Sequence, residues 1–166
     1  HNPAVVVDYL NHLFEYMIDI IDNHNGIINK FLGDGFMAVF GAPISAENDV
    51  ESAVKAGYEI IQRTEEEVLK GNIPETQLGI GLHYGKALTG NIGTKRRQEY
   101  TIIGDVVNST AHIEQLNKQY HSTMLISEDA LAKLPEAKGE LIGNVNLKHR
   151  ECPMKIFKLA SNPNGV

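Results

Sequence analysis

Apolar residues recur at helical spacing from the start of the chain: Val6, Leu10, Leu13, Phe14, Met17, Ile18 and Ile21, with Ile20 beside them. The pattern predicts an amphipathic helix. Asn2 and Pro3 ahead of it suit an N-cap and a first helical position, and Asn25-Gly26 suits its end. The pattern then turns to strand type. Ile27, Ile28, Phe31 and Leu32 form one run and Phe36 to Phe40 another, with Gly33-Asp34-Gly35 between them. Asp-Gly between two apolar runs predicts a β-hairpin, because both residues tolerate positive φ. Pro43, in Gly41-Ala42-Pro43, cannot continue a central strand and closes the hairpin.

Val50, Ala53, Val54, Gly57, Ile60 and Ile61 form a second apolar stripe, which predicts a helix from Ala46 or Glu47 to near Leu69. Glu65-Glu66-Glu67 within it reads as a solvated face. Gln77 to Tyr84 alternates through Leu78, Ile80 and Leu82 and predicts a strand. Gly79, Gly81 and Gly85 point to close approach there by backbone or ligand. Lys86 to Ile92 and Glu99 to Gly104 read as two further strands, joined by the basic loop Gly93 to Gln98. That loop reads either as an exposed tip or as a contact for phosphate or a partner. Asp105 is placed as the N-cap of a helix from Val106 to Tyr120. A strand from Thr123 to Ile126 leads into a short helix capped by Ser127-Glu128-Asp129. Glu140 to Leu147 and Met154 to Leu159 end the chain as strands, joined by Lys148-His149-Arg150-Glu151. This order predicts an α+β fold, with helices packed on one face of a mainly antiparallel sheet.

Composition narrows the classes. A chain of 166 residues suits one domain, residues 1–166, and 42% hydrophobic with 22% charged residues is globular in character. The net charge of -6 argues against general nucleic-acid binding. The single Cys152 excludes an internal disulfide framework and a cysteine zinc site. No apolar run approaches the roughly 20 residues of a membrane span, and no signal peptide is evident. A cytoplasmic setting is expected, with membrane attachment only through segments outside this chain. Residue 1 is His rather than Met, so a piece of a longer signalling protein is expected.

Within the hairpin, Asp34 serves either as a turn residue alone or as a carboxylate offered to a phosphate-bound metal. Lys30 is a cation within an apolar strand, where a buried ammonium needs a partner.

Three separated stretches then agree. They are Lys30 to Gly35 with Met37 to Pro43, Gly79 to Gly85 with Gly90-Asn91-Ile92-Gly93, and Tyr100 to Asn108. Together they resemble the catalytic domain of class III nucleotidyl cyclases, the adenylate/guanylate cyclase family, over nearly the whole chain. The resemblance implies a cyclase homology domain with a ferredoxin-like βαββαβ core. It implies a head-to-tail homodimer with active sites at the interface, and conversion of ATP to 3′,5′-cyclic AMP and pyrophosphate. Two Mg²⁺ or Mn²⁺ ions held by two aspartates would activate the ribose 3′-hydroxyl and clamp the phosphates.

Residue by residue, Asp34 matches the second metal-binding aspartate. Lys30 matches the lysine that reads adenine, whose N1 is a pure acceptor. Thr101 matches the second base-reading position, where a hydroxyl can accept from the exocyclic amine. Metazoan-type guanylate cyclases carry Glu and Cys at these places, so Lys30 and Thr101 favour ATP. Asn108 matches the asparagine that orients the ribose. Lys148 resembles the lysine on the terminal phosphates. Thr101, Asn108 and Lys148 also have ordinary readings as strand, first-turn helix and loop residues.

Two departures stand out. The family's first metal aspartate lies on a strand before the first helix. That strand is missing from residues 1–166, and Asp8, inside the helix pattern, does not replace it. Second, where the family has an arginine on the α-phosphate, four residues after Asn108, this chain has His112. The spacing keeps both side chains on one helix face. Arginine offers a fixed charge and a fork of donors that an imidazole lacks. Such a loss costs on the order of 10²–10³ in rate. If protonated His112 acts instead, activity falls as pH rises; Arg96 or Arg97 could also supply the charge. Two expectations follow: a homodimeric adenylate cyclase domain, or a catalytically weak or silent nucleotide-binding regulatory module. A diguanylate cyclase is disfavoured because Leu32-Gly33-Asp34-Gly35-Phe36 lacks that family's paired acids.

Overall fold

The computed structural model describes residues 2–148 and 150–159, the side chains of 98–100 excepted. His149 of the predicted polar connection lies outside these residues. The chain forms two compact units, which divide between Gln77 and Leu78.

The first unit contains α1 (Pro3–Asn23), β1 (Gly26–Leu32), β2 (Gly35–Phe40) and α2 (Asp49–Leu69). Asn2 caps α1 as expected: its side-chain oxygen accepts from the Ala4 amide at 3.0 Å, and Pro3 follows at the first helical position. Leu13, Tyr16, Met17, Ile20 and Ile21 form the buried face of α1. β1 and β2 form an antiparallel hairpin from Gly26↔Phe40 to Leu32↔Gly35. Its two-residue turn is Gly33-Asp34, with φ of +61° at Gly33 and no positive φ at Asp34. A positive φ at the first central position is the type II′ pattern, so the glycine before Asp34 takes the left-handed conformation.

α2 begins at Asp49, later than its apolar stripe predicts, because Asp49 itself closes the preceding turn. Its Oδ2 accepts from the Ala46 amide at 2.8 Å and from Ser45 Oγ at 2.9 Å. Side chains stitch α1 to α2 in antiparallel order. His12 meets Glu67 at 2.9 Å, Tyr16 meets Thr64 at 2.7 Å, and His24 meets Glu59 at 2.6 Å. Glu67 corrects the solvated-face reading of the acidic run. Glu65 and Glu66 are exposed, but the Glu67 side chain keeps only 3% of its surface. Arg63 Nε, Asn72 Nδ2 and His12 all bond its carboxylate.

The second unit contains β3 (Ile80–Leu82), β4 (Leu88–Thr94), β5 (Arg97–Ile103), α3 (Asp105–Tyr120), β6 (Met124–Ser127), α4 (Glu128–Leu131), β7 (Gly139–Val145) and β8 (Met154–Leu159). Four strands form a sheet in the order β3-β6-β8-β7. β3 and β6 are parallel, whereas β8 is antiparallel to both of its neighbours. The parallel pair requires a crossover, and α3 lies within it. β6, inside the sheet, is buried at all four positions. Ile113 of α3 joins Leu125, Val145, Met154 and Ile156 in one core. β4 and β5 form a separate antiparallel ribbon.

The α+β class holds, with one parallel pair in a mostly antiparallel arrangement. Several boundaries move. β3 keeps only the residues that pair with β6, not the whole Gln77–Tyr84 alternation. The basic loop shrinks to the tip Lys95-Arg96, because Thr94 pairs with Arg97. Asp105 is the first residue of α3 rather than its cap; Gly104 holds the cap position without a side-chain bond. At Gly81, a Cβ would come within 2.5 Å of the Glu114 backbone nitrogen, so only glycine lets α3 lie this close to β3.

Candidate functional site

Lys30 and Asp34 share the hairpin of the first unit. The register of β1 slips between Ile28 and Lys30, so Asn29 is an extra residue in the strand. Such a bulge re-aims the side chains that follow it. Lys30 is exposed, as are Phe31 and Leu32 after it, so both faces of the strand are open at the turn end; this corrects the expectation of a buried ammonium. Asp34 is exposed at the turn. Neither side chain forms a hydrogen bond or ion pair among the described residues. The turn end of the hairpin is braced by rings: Phe14 of α1 lies 5.5 Å from Phe31 and 5.8 Å from Phe36. Phe31 and Phe36 lie 6.4 Å apart, facing each other across the register.

Thr101, Asn108, His112 and Lys148 belong to the second unit. Thr101 lies on β5 opposite Gly90, partly buried. Asn108 and His112 occupy the outer face of α3, both exposed. The inner face carries the buried Ser109, Ile113 and Asn117. Asn117 Nδ2 donates to the carbonyls of Ile80 and Glu114, each at 3.0 Å, and Asn117 Oδ1 accepts from Ser122 Oγ at 2.9 Å. The bond to Ile80 ties α3 to β3, so Asn108 and His112 project from a helix held on the sheet. Lys148 lies in the β7–β8 connection, exposed, one residue after Leu147, which packs against the core.

Two polar arrangements escaped the sequence reading. His83 Nδ1 and Ser127 Oγ are bonded at 2.8 Å, and burial holds the His83 imidazole below its ordinary titration range. Arg150 reaches Asp129 at 2.7 Å and Glu128 at 3.6 Å. Their residues were in view only as members of a glycine-rich strand stretch, a cap and a polar connection. A basic residue in a connection and two acids at a helix start were the available signal.

The metal expectation can be tested on the donors themselves. Asp34 supplies an exposed carboxylate, a hard oxygen donor of the kind Mg²⁺ and Mn²⁺ accept. Among the described residues, no group of three or more His, Cys, Asp or Glu side chains could hold a metal ion alone. Asp34 fits one carboxylate of a site completed by other oxygens, phosphate oxygens among them. No described helix is long and apolar enough to cross a membrane.

The model of the adenylate and guanylate cyclase catalytic domain matches residues 1–160. An uncharacterised protein of Mycobacterium tuberculosis is 36% identical over 160 residues, covering 94% of this chain and 29% of the relative. The chain therefore spans less than a third of the length of such curated relatives. Among solved structures, the guanylyl cyclase Cya2 is 33% identical with a TM-score of 0.81, covering 96% of this chain and 82% of that one. The adenylyl cyclase CyaB from P. aeruginosa is 25% identical with a TM-score of 0.78, covering 96% and 84%.

Proposed function

The chain belongs to the adenylate and guanylate cyclase catalytic domain family, and we propose that it converts ATP to 3′,5′-cyclic AMP and pyrophosphate as a head-to-tail homodimer. The observation that carries this reading is the hairpin. It holds Lys30 and Asp34 outward and without a partner among the described residues, whereas no described buried side-chain polar atom lacks a bond. A cation and an anion that the fold does not use are available to a nucleotide.

In this mechanism Lys30 donates to adenine N1, and Thr101 accepts from the exocyclic amine. Guanine presents an N–H and a carbonyl at those edges, so Lys30 disfavours it. Asn108 orients the ribose, and Lys148 neutralises the terminal phosphates. Asp34 would hold a divalent cation, whose contribution is charge neutralisation and Lewis acidity at the phosphates. His112 faces the charge that develops on the α-phosphate. Partnering by a second copy is supported by the β4–β5 ribbon. There the paired Leu88 and Ile103 remain 77% and 50% exposed, and Ile92 53%. Apolar residues on a two-stranded ribbon gain a buried setting only from a partner.

One observation favours the second reading, a weak or silent nucleotide-binding module. His112 replaces the fixed cation that the reaction uses. The test is cyclic nucleotide formation from ATP and from GTP with Mn²⁺, by the wild type and Asp34→Ala. Cyclic AMP production that Asp34→Ala removes supports the enzyme. ATP binding without product in the wild type supports the module. A preference for GTP overturns the roles given to Lys30 and Thr101.

A further inference from the structure

The described residues of the β7–β8 connection, 146–148 and 150–153, contain no helix or strand. Such a segment is free to move unless something ties it down. Leu147 anchors one side of Lys148 by packing against the core. On the other side, the Arg150 amide donates to the Leu147 carbonyl at 3.2 Å and closes the turn that contains Lys148. The Arg150 guanidinium then forks. Nη1 meets Asp129 Oδ2 at 2.7 Å and Nη2 meets Glu128 Oε1 at 3.6 Å. Among the described residues, these are the only side-chain hydrogen bonds or ion pairs made by the connection.

The platform under the fork is well held. Glu128 Oε1 also accepts from the Lys155 amide of β8 at 3.2 Å. Ser127 Oγ accepts from the Ala130 amide at 3.2 Å and bonds His83 Nδ1 at 2.8 Å. Ser127 itself is fully buried on β6. An isolated surface ion pair stabilises a fold little. This one can still fix direction, because the short charge-assisted hydrogen bond to Asp129 is directional and Glu128 adds a second negative charge at 3.6 Å beside it.

We propose that Arg150 is a positioning residue for Lys148: bridged to Asp129 and Glu128, it holds the turn so that the Lys148 ammonium meets the terminal phosphates of the nucleotide. The role rests on the cyclase reading and on the phosphate assignment of Lys148. Arg150 does not itself touch substrate. Its cation is neutralised by the acids, and its effect passes through the turn geometry.

The experiment is a double-mutant cycle on the full-length protein, read as KM and kcat for ATP, or as the Kd for ATP where turnover is slow. Arg150→Ala and Asp129→Asn are each expected to raise KM on the order of tenfold while changing kcat little. Arg150→Lys keeps the charge but loses the fork, and is expected to rescue only partly. In a Lys148→Ala background, Arg150→Ala is expected to add nothing further. Adenosine, which has no phosphates, is expected to bind all variants alike. Two results overturn the proposal while leaving the cyclase reading intact. One is an Asp129→Asn variant with wild-type KM, which would place Arg150 on the phosphates directly. The other is an Arg150→Ala effect undiminished in Lys148→Ala. A wild type that neither turns over nor binds ATP overturns the cyclase reading, and this role with it.

Discussion

In the seam between α1 and α2, His12 and His24 each meet a glutamate, at 2.9 and 2.6 Å. On the outer face of α3, His112 is exposed and makes no side-chain hydrogen bond or ion pair among the described residues. The carboxylates divide the same way. Glu67 is buried under His12, Arg63 and Asn72, while Asp34 stands exposed at its turn. Burial explains the Glu67 side of the division. A buried polar group left unpaired costs about 1–3 kcal/mol, so Glu67, Tyr16 and Thr64 are each bonded, whereas the His24–Glu59 pair lies at the surface. An exposed side chain is satisfied by water, and its removal costs the fold little. Residue type therefore does not separate structural from chemical roles here. Burial and pairing do.

The comparison breaks most visibly at Asp34. Asp34→Ala is expected to lower cyclic AMP formation by on the order of 10²–10³ while leaving the melting temperature in place. Unfolding by this substitution would show that the turn carboxylate is structural after all. Next in size is His112→Arg, which restores a fixed cation to the outer face of α3. Turnover is expected to rise by roughly 10- to 100-fold with unchanged stability. No rise would mean that another residue already supplies the charge.

The inner face of α3 answers to stability instead. Gly81→Ala drives a methyl into the Glu114 backbone, and is expected to cost about 1–3 kcal/mol in denaturant unfolding. Gly90→Ala, with nothing within 4 Å of the new Cβ, is the control and is expected to be near neutral. Equal losses would show that the contact with β3 is not what constrains Gly81.

A further effect is in pH. Glu67 titrates at about 2 in the fold against 4.5 ordinarily, held down by the His12 and Asn72 bonds. Its contribution to stability is complete above pH 4.5 and is lost as pH falls from there toward 2. Burial lowers His83 from 6.5, so the unfolded chain takes up that proton first, and stability begins to fall below pH 6.5. Urea midpoints against pH are expected to fall in two stages. Glu67→Gln should remove the lower stage and leave the upper one. A single stage unaffected by Glu67→Gln would deny the seam its buried charge.

The N-cap of α1, the hairpin turn at Asp34, the end of α2 at Leu69 and the whole of β8 were legible from residues alone. Each depends on a few neighbours: a cap, a turn glycine, an alternation. The same locality made Asp34 and the Asn108–His112 pair readable as candidates, since a turn and an i, i+4 spacing need no distant partner. Glu67 was not legible. Three glutamates in a row look alike until His12 and Asn72, far apart in sequence, are seen to converge on one of them. The exposure of Lys30 was hidden for a related reason, because an apolar run such as Phe31-Leu32 looks buried until the turn end of the hairpin is seen to stand open on both faces.

What the sequence determined by itself is the set of local conformations and the motif chemistry: helix faces, turn types, and a hairpin carrying a cation and an anion. Tertiary structure alone decided which polar residues the fold uses. Arg150 became a tether, and Ser127 a buried anchor for His83, only when a connection, a short helix and a strand met. The physical reason is that a local conformation is set by a residue and its near neighbours, whereas burial and pairing depend on segments whose separation along the chain carries no such signal.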